Sequence, residues 1–376
     1  MHPPLDPAPL STLPYSAPVG KPTLRDLEGF LTAHLDRVDR QLRRSLRGPG
    51  TAVARDPVQD RLWRSLSQAT HGGKRFRPAL LAVAYRAWGG RDEAAAAAVG
   101  AAVELLHTAF VVHDDVIDGD LTRRGRPSVL GAHIREAKAR GVASDRAHEY
   151  GIAAGVLAGD LALATAMRTV ASCPAEPSAV RRLLDLFDEV LRVSAEGELS
   201  DVWLGVGGTD PTVDDTLLVA QRKTAEYSFA LPLQAAAVLA GTSRDAVQAA
   251  GDVGRCLGTA YQLVDDLQGV FGDPCATGKS RLSDLRSGKQ TALVAHARTT
   301  AAWPALAPYV GRATLTEPDA EAVRGLLVAS GSRAYVEGLA VAYVDRAVGL
   351  ARRSGTPEAL VSWFTGLSGD LLRSVA

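Results

Sequence analysis

Residues 93–118 read EAAAAAVGAAVELLHTAFVVHDDVID, and this stretch decides the fold. A long apolar run without proline predicts a buried helix, and this run ends in Asp114, Asp115 and Asp118. Asp114 and Asp118 are four residues apart, so a helix places both carboxylates on one face, one turn apart. Carboxylates grouped at the end of a core helix repel one another and lose hydration unless a cation neutralises them. The stretch therefore predicts a helical core with a metal site at its end.

A second apolar run ends in the same way, at Val264-Asp265-Asp266-Leu267-Gln268-Gly269. Sites built from oxygen ligands favour hard cations, and Mg²⁺ typically takes one or two carboxylates plus the phosphates of a substrate. The two motifs therefore predict two acidic helix ends that face a shared cavity, with Mg²⁺ and a phosphate group between them. The alternative for each motif is a solvated acidic helix end, which the apolar turns before it disfavour.

Most of the remaining chain has helical periodicity. Seven prolines in residues 1–22 predict a disordered leader, and residues 23–376 are predicted to form a single all-α domain. No stretch alternates polar and apolar residues convincingly, so we expect no sheet. The principal helices are predicted over residues 75–87, 93–119, 145–171, 178–203, 212–240, 243–271 and 290–302.

Composition excludes several classes of function. The 42 basic and 42 acidic side chains give a formal net charge of zero, which leaves no field to attract nucleic acid or an anionic membrane. Residues 94–117 are apolar enough for a membrane span, but Glu104, His107, Asp114 and Asp115 interrupt them. The N-terminus lacks the basic start and apolar stretch of a secretory signal. We therefore predict a cytoplasmic protein that has no integral membrane segment and binds no nucleic acid.

Two cationic segments near the first acidic motif predict anion sites. In Gly72-Gly73-Lys74-Arg75-Phe76-Arg77-Pro78, backbone amides at a helix start join the charges of Lys74 and Arg77. Arg123 and Arg124 follow the acidic motif closely, where two guanidinium groups would clamp a diphosphate. The alternatives are a capped helix with surface charge for the first segment and a solvated turn for the second.

Three further polar positions lie in the second half of the chain. Lys223-Thr224 stands inside an apolar helix, in which Pro232 predicts a kink that frees a backbone carbonyl. Gln262 precedes the second acidic motif on the same helix. Lys279 follows a glycine, but five residues separate the two glycines of this loop where a nucleotide P-loop requires four, so we predict a lid cation. The alternatives are a surface lysine at 223 and a core amide at 262.

Together these motifs resemble the trans-isoprenyl diphosphate synthases (polyprenyl synthetases) over roughly residues 24–370. The residues around the two acidic motifs are similar to those of bacterial geranylgeranyl diphosphate synthases. The resemblance is carried, in this order, by Gly73–Pro78, Glu104–His107, His113–Asp118, Arg123–Gly125, Gly159-Asp160, Lys223-Thr224, Tyr261–Asp266, Gly278-Lys279, Asp284-Leu285 and Gly288-Lys289.

The resemblance implies an all-α isoprenoid-synthase-type fold with a central cavity, a requirement for Mg²⁺ and a homodimer. It also implies roles for matching positions. Metal ligands would be Asp114, Asp118 and Asp265. The isopentenyl diphosphate site would comprise Lys74, Arg77, His107 and Arg124. The allylic diphosphate site would comprise Arg123, Lys223, Thr224, Gln262 and Lys279. Two positions depart from the family pattern: Gly269 stands where the second motif usually ends in Asp, and Glu198 where Gln is frequent.

The reaction that fits these residues is ionisation, condensation and elimination. Mg²⁺ and the cations of the allylic site would stabilise the leaving diphosphate, with Asp114, Asp265 and Lys223 in catalytic roles. The Thr224 hydroxyl and the Gln262 amide would offer partial negative charge to the allylic cation. The proton would pass to the released diphosphate, so no dedicated general base is expected.

Product length depends on what blocks the cavity beneath the first acidic motif. Phe110 precedes Asp114 by four residues, about 5.4 Å down the same face, and its neighbour Ala109 is small. The resemblance favours geranylgeranyl diphosphate (C20), whereas an aromatic ring this close to the acidic motif would equally suit farnesyl diphosphate (C15). The alternative is that Phe110 merely fills the core.

Two other functions are weighed against this one. A class I terpene cyclase shares the acidic metal site, but it has no reason to keep Lys74, Arg77 and His107 for a second diphosphate substrate. A non-catalytic subunit of another prenyltransferase has no reason to keep both acidic motifs. Products formed from geranylgeranyl diphosphate alone, and activity of the purified chain alone, separate these functions.

Overall fold

The structure, a computed structural model, describes residues 24–47, 57–207, 210–272 and 283–373. The chain divides into two compact units. The first runs up to Phe187 and includes Ala235–Thr242, and the second comprises Asp188–Gln234 and the chain from Ser243 onward. The predicted leader over residues 1–22 and the predicted lid cation Lys279 lie outside the described residues.

The first unit is built from helices around one buried helix, α4. α4 packs against α1, α3, α5 and α6, and 83% of its most apolar window is buried. The carboxylate of Asp92 caps its start by accepting from the backbone N–H groups of Ala94 and Ala95. In chain order the elements are α1 (Leu24–Ser45), α2 (Pro57–Ala69), α3 (Phe76–Ala87), α4 (Glu93–Ile117), β1 (Thr122–Arg123), β2 (Arg126–Pro127), α5 (Val129–Ala139), α6 (Ser144–Ala171) and the first turns of α7 (Pro177–Gly205).

Two glycines bring α6 against the last turns of α4. A Cβ atom at Gly155 would lie 2.3 Å from Val116 Cγ2, and one at Gly159 would lie 2.1 Å from His113 Nε2. His113 Nε2 in turn lies 3.3 Å from the carbonyl oxygen of Val156. Because Gly155 and Gly159 have no side chains, the helix that carries the first acidic motif packs directly against α6.

α4 and α6 are each long and apolar enough to span a membrane by length and composition alone. α4 is a core helix by its burial. Only 44% of the corresponding window of α6 is buried, and Ile152, Val156 and Leu157 are exposed along it. α6 thus presents an apolar face that the described residues of the first unit leave exposed.

The second unit is organised around α10, which packs against α15 and against a π-helix. Its core includes Leu263, Val264 and Leu267 of α10, together with Leu293 and Val336. The elements are the rest of α7, α8 (Val213–Ala220), the π-helix (Gln221–Ala230), α9 (Leu231–Leu239, whose second half belongs to the first unit), α10 (Arg244–Phe271), α11 (Ser283–Ser287), α12 (Ala292–Arg298), α13 (Trp303–Leu306), a 3₁₀ turn (Ala307–Tyr309), α14 (Glu317–Ala329), α15 (Ser332–Arg353) and α16 (Glu358–Arg373).

The helix predicted over residues 212–240 is present, but its middle is a π-helix. The N–H of Leu231 donates to the carbonyl of Glu226, five residues back. A Cβ atom at Gly254 of α10 would lie 2.5 Å from Ala230 Cα, so the two backbones are in contact. The structure has this π-helix over the ten residues that end at Ala230, and the kink and freed carbonyl predicted from Pro232 stay a prediction.

Candidate active site

The first acidic motif ends α4. Asp114 is partly buried in its last turn, Asp115 is 3% exposed, and Asp118 is exposed at the helix end. The backbone N–H of Asp118 donates to the carbonyl of Asp114, which keeps the helical spacing through the motif. A helix C-terminus carries partial negative charge, which adds to the repulsion between these carboxylates. An all-oxygen set in a negative environment fits a hard divalent cation.

The Arg123 guanidinium donates hydrogen bonds to three acidic side chains. Its Nε donates to Asp115 Oδ1 at 2.6 Å, and its Nη2 to Asp114 Oδ2 at 3.1 Å and to Asp120 Oδ2 at 3.4 Å. Burial raises the pKa of Asp115 to about 6, although Arg123 opposes the shift. Asp115 is therefore the buried partner of Arg123, whereas Asp114 is partly buried and Asp118 is exposed.

Arg124 sits in a β-hairpin that the sequence did not predict. β1 and β2 pair antiparallel, Arg123 with Arg126, and the two residues between them have φ of 52° (Arg124) and 70° (Gly125). Positive φ at both central residues is the geometry of a type I′ turn, in which a non-glycine residue is strained. The expectation of no sheet holds apart from this pair of two-residue strands within the described residues.

The glycine turn before α3 meets this hairpin. Gly72 and Gly73 have φ of 83° and 84°, and a Cβ atom at Gly73 would lie 2.8 Å from Arg124 Nη1. Lys74 is exposed at the turn, and Arg77 stands in the first turn of α3. Two cationic segments that are distant in sequence therefore lie side by side.

Arg75, for which the sequence predicted no role, stabilises the glycine turn before α3. Its φ is 48°, and its guanidinium donates to Asp39 Oδ1 at 2.9 Å, Glu104 Oε1 at 2.8 Å and the carbonyl of Thr70 at 2.7 Å. These bonds tie the turn that carries Lys74 to α1 and α4. A non-glycine residue in a left-handed conformation is held there by its surroundings, as is common at functional sites.

His107 lies among these cations. Burial lowers its pKa well below the ordinary value, and the charges of Arg77, Arg124 and Arg123 lower it further. The imidazole is therefore neutral at neutral pH and adds no charge to the cations around it. Of the residues predicted to bind diphosphate in this unit, the structure brings Arg77, His107, Arg123 and Arg124 together.

Lys223 in the second unit is held by two carboxylates. Its Nζ donates to Glu198 Oε1 at 2.9 Å and to Asp201 Oδ2 at 2.7 Å, both on α7. A Cβ atom at Gly197 would lie 2.5 Å from the backbone nitrogen of Lys223, so α7 and the π-helix adjoin closely. The sequence analysis missed Asp201 as a partner, although the i, i+3 spacing of the two acids on one helix was a usable signal. Thr224 is partly buried in the same π-helix.

The second acidic motif contains two different aspartates. Asp266 is 7% exposed, and its Oδ1 accepts from Gln262 Nε2 at 2.9 Å and from Lys289 Nζ at 3.2 Å. Asp265 is partly buried at the adjacent position of α10. Gly269 takes the place of a third acid one turn further on. The sequence analysis gave Asp266 and Lys289 no chemical role.

Among the residues that the structure describes, no three His, Cys, Asp or Glu side chains are grouped so as to hold a metal unaided. Ala109 of α4 is fully buried, and Phe110 beside it is only partly buried, one turn before Asp114.

The fold and these side chains define an enzyme of the short-chain trans-prenyltransferase class. More particularly, the chain belongs to the polyprenyl synthetase family, whose sequence profile matches residues 59–324. It is 34% identical to the (2E,6E)-farnesyl diphosphate synthase of Mycobacterium tuberculosis over 296 residues, which are 76% of this chain and 75% of that protein. It is 36% identical to the geranylgeranyl diphosphate synthase of the same organism over 266 residues, 70% of each chain.

A solved structure agrees with this assignment. The geranylgeranyl pyrophosphate synthase from Corynebacterium glutamicum, complexed with isoprenyl diphosphate and magnesium, superposes with a TM-score of 0.82. It is 28% identical, and the match covers 93% of this chain and 99% of that one. The predicted family, all-α fold and enzyme class are thus confirmed.

Proposed function

We propose that the chain condenses isopentenyl diphosphate with an allylic diphosphate and that its main product is geranylgeranyl diphosphate (C20). One observation carries the proposal: the charges of Arg77 and Arg124 act on the buried, neutral His107, which lies on the same face of α4 as Asp114. His107 and Asp114 are seven residues apart, two helical turns. A second anion site beside the acidic motif suits an enzyme with two diphosphate substrates and gives a terpene cyclase no advantage.

In the proposed mechanism Asp114, Asp118 and Asp265 would hold Mg²⁺, which supplies positive charge to the leaving diphosphate when bound. Arg123, Lys223 and Lys279 bind the same diphosphate. The Thr224 hydroxyl and the Gln262 carbonyl face the allylic cation with partial negative charge, without attacking it. The positive charges of these arginine and lysine side chains would stabilise the negative charge of the leaving group.

Isopentenyl diphosphate takes the other anion site, bound by Lys74, Arg77, His107 and Arg124. Its double bond attacks the allylic cation, and a new carbon–carbon bond forms. The proton lost from the resulting cation passes to the released diphosphate. Arg123 and Lys223 are held by carboxylates of the chain itself before substrate binds, and we propose that the diphosphate displaces Asp114 and Asp201 from them.

We further propose that Phe110, with Ala109, ends the cavity that holds the growing chain. Phe110 lies about 5.4 Å below Asp114 on α4, and its partial exposure favours a ring that borders open space over one that fills the core. The Phe110→Ala enzyme should therefore make longer products than the unchanged enzyme, as measured by chromatography of the dephosphorylated prenyl alcohols. Val112→Ala, a buried truncation on another face of α4, is the control. Unchanged product length in Phe110→Ala removes the assignment, and farnesyl diphosphate as the main product of the unchanged enzyme would favour the C15 alternative.

The uncovered apolar face of α6 supports a homodimer. Isolated exposed apolar residues are ordinary, but Ile152, Val156 and Leu157 form a contiguous stripe on a long helix. We propose that a second copy of the chain covers it. A cytoplasmic location with no integral membrane segment, a single catalytic domain over residues 23–376 and no binding of nucleic acid complete the proposal.

The test of function uses the purified full chain with Mg²⁺, isopentenyl diphosphate and each allylic starter from C5 to C15. We expect elongation, and we expect Asp114→Asn to lower kcat/KM at least ~100-fold because it removes a charge that holds the metal. Asp92→Asn at the other end of α4 is the matched control, since asparagine caps a helix as well as aspartate does. Normal turnover by Asp114→Asn contradicts the mechanism, and hydrocarbon formed from geranylgeranyl diphosphate alone would make the chain a cyclase.

A further inference from the structure

We propose that Asp266 is a positioning residue that orients the Gln262 amide, so that the carbonyl oxygen of Gln262 is presented to the reacting allylic carbon. The proposal rests on the function proposed above. It divides the second acidic motif into two roles, with Asp265 directed to the metal and Asp266 directed to the side chain one turn before it on α10.

The contacts of Asp266 carry the argument. Gln262 and Asp266 are four residues apart on α10, and the amide Nε2 lies 2.9 Å from Oδ1. The same oxygen accepts from Lys289 Nζ at 3.2 Å. Asp266 is 7% exposed, and a carboxylate so buried requires hydrogen bonds and a cationic partner to stay ionised. Lys289 supplies the charge, and Gln262 supplies a second donor.

The chemistry of the pair fixes the direction of the amide. An ionised carboxylate only accepts hydrogen bonds, so Gln262 has to turn its NH₂ group toward Asp266. The carbonyl oxygen then lies on the opposite side of the amide. This matters because the two ends of a glutamine carry opposite partial charges: the oxygen stabilises a neighbouring carbocation, and the NH₂ group destabilises it.

Without the Asp266 carboxylate, the orientation of the Gln262 side-chain amide would not be fixed. An amide that is free to rotate exchanges its oxygen and nitrogen between two orientations of similar size and shape. A buried, charged acceptor favours one of them by the strength of a charge-assisted hydrogen bond. The cost of losing the acceptor should therefore appear in the rate of ionisation, with substrate binding little affected.

The experiment is a double-mutant cycle in the full-length enzyme with Asp266→Asn, Gln262→Met and the double variant. We expect Asp266→Asn to lower kcat ~10- to 100-fold, because asparagine no longer forces the amide one way. The KM for the allylic diphosphate and the Mg²⁺ concentration for half-maximal rate should change less than ~2-fold. In the Gln262→Met background the same change should cost less than ~2-fold, since no amide remains to be oriented.

Two further variants separate positioning from a metal-binding or merely structural role. Asp265→Asn should raise the Mg²⁺ requirement, which Asp266→Asn should not do. Asp266→Glu keeps an acceptor-only group on a longer arm, so it should retain more kcat than the isosteric Asp266→Asn; a packing role predicts the reverse order. Asp252→Asn, which breaks a partly buried ion pair with Arg255 on the same helix, is the control for removing a carboxylate from α10.

Three results would overturn the proposal. One is an equal loss from Asp266→Asn with and without Gln262, and another is recovery of Asp266→Asn at high Mg²⁺. The third is an unchanged kcat in Gln262→Met, which leaves Asp266 and Lys289 intact and decides the matter where the Asp266 variants do not fold. Failure of the proposed function itself is distinct, because the unchanged enzyme would then elongate none of the starters.

Discussion

His34 in α1 is a fully buried imidazole far from the acidic motif in sequence. Neither of its ring nitrogens has a hydrogen-bond partner among the residues that the structure describes. Burial lowers its pKa to about 4; Glu93 opposes this shift and Arg37 adds to it. The folded protein therefore holds His34 neutral across a pH range in which an exposed histidine becomes charged.

This burial predicts a loss of stability in mild acid. Above about pH 6.5 the ring is neutral in both folded and unfolded chains, so it has no linkage effect there. As the pH falls from about 6.5 to about 4, the unfolded state takes up the proton first, and the free energy of unfolding should fall by ~3 kcal/mol. Urea unfolding at a series of pH values measures it. His34→Leu should lose that part of the pH dependence, and an unchanged slope in this variant would contradict the assignment.

Glu198 is the residue at which this chain departs from its family beside Lys223. Two carboxylates on one ammonium group compete with an incoming diphosphate for the same charge. We expect Glu198→Gln to keep the hydrogen bond, remove one negative charge and lower the KM for the allylic diphosphate ~3- to 10-fold. The KM for isopentenyl diphosphate should not change. Glu196→Gln, an exposed acid on the same helix, is the control, and a raised allylic KM in Glu198→Gln would count against this reasoning.

For single residues, the sequence predicted the geometry between residues that lie close together along the chain. The helical separation of Asp114 and Asp118 follows from the sequence because both lie on α4. The partners of Arg75 do not follow, since Asp39 and Glu104 are 36 and 29 residues away and meet it only in the folded chain. The role of Arg75 in holding the glycine turn therefore became visible only in the structure.

Among the contacts between elements, the packing of α10 against the π-helix is unusually close. A Cβ atom at Gly254 would lie 2.5 Å from Ala230 Cα and 2.6 Å from Ala230 N, both backbone atoms that cannot rotate away. Gly254→Ala should therefore lower the free energy of unfolding by ~1–3 kcal/mol, despite the better helix propensity of alanine. Gly325→Ala in α14, where a Cβ atom meets nothing within 4 Å, is the matched control and should raise stability slightly. Urea unfolding of both variants measures the difference, and equal stability would contradict the close contact.

The helix over residues 212–240 illustrates the limit of prediction for an element. Its extent follows from apolar periodicity and from the turn signals around it. Gly254 and Gly258 of α10 lie against its π-helical middle, and no property of residues 221–230 alone specifies that contact. The β-hairpin was missed for a related reason, because two-residue strands have too few side chains to show alternation.

At the scale of the whole molecule, the open face of α6 is the feature to test. Leu157 is 53% exposed, the most of the three residues of its apolar stripe. Leu157→Glu should convert a dimer to a monomer, because a charge at an apolar interface loses hydration without gaining a partner. Light scattering after size exclusion measures the mass. Val328→Glu, on an equally exposed residue (54%) of α14, should leave the mass unchanged. A monomeric unchanged chain would contradict the dimer.

The fold class was predictable because nearly every segment has helical periodicity and the acidic motifs end helices. The prediction of one domain after residue 22 stays a prediction, and the structure divides into two compact units. Sequence patterns specify which residues of a helix are apolar. They do not specify whether its own chain or a second copy covers them, as the contrast between α4 and α6 makes plain.

The wide turns over Gln221–Ala230 have a consequence for the length of the chain itself. Deleting one residue between Lys223 and Pro232 would let the backbone return to ordinary α-helical bonding, at little cost to helix stability. The side chains before the deletion would then point in other directions relative to α9. The Lys223 ammonium would then lose its contacts with Glu198 and Asp201 on α7, although the helix itself would remain folded.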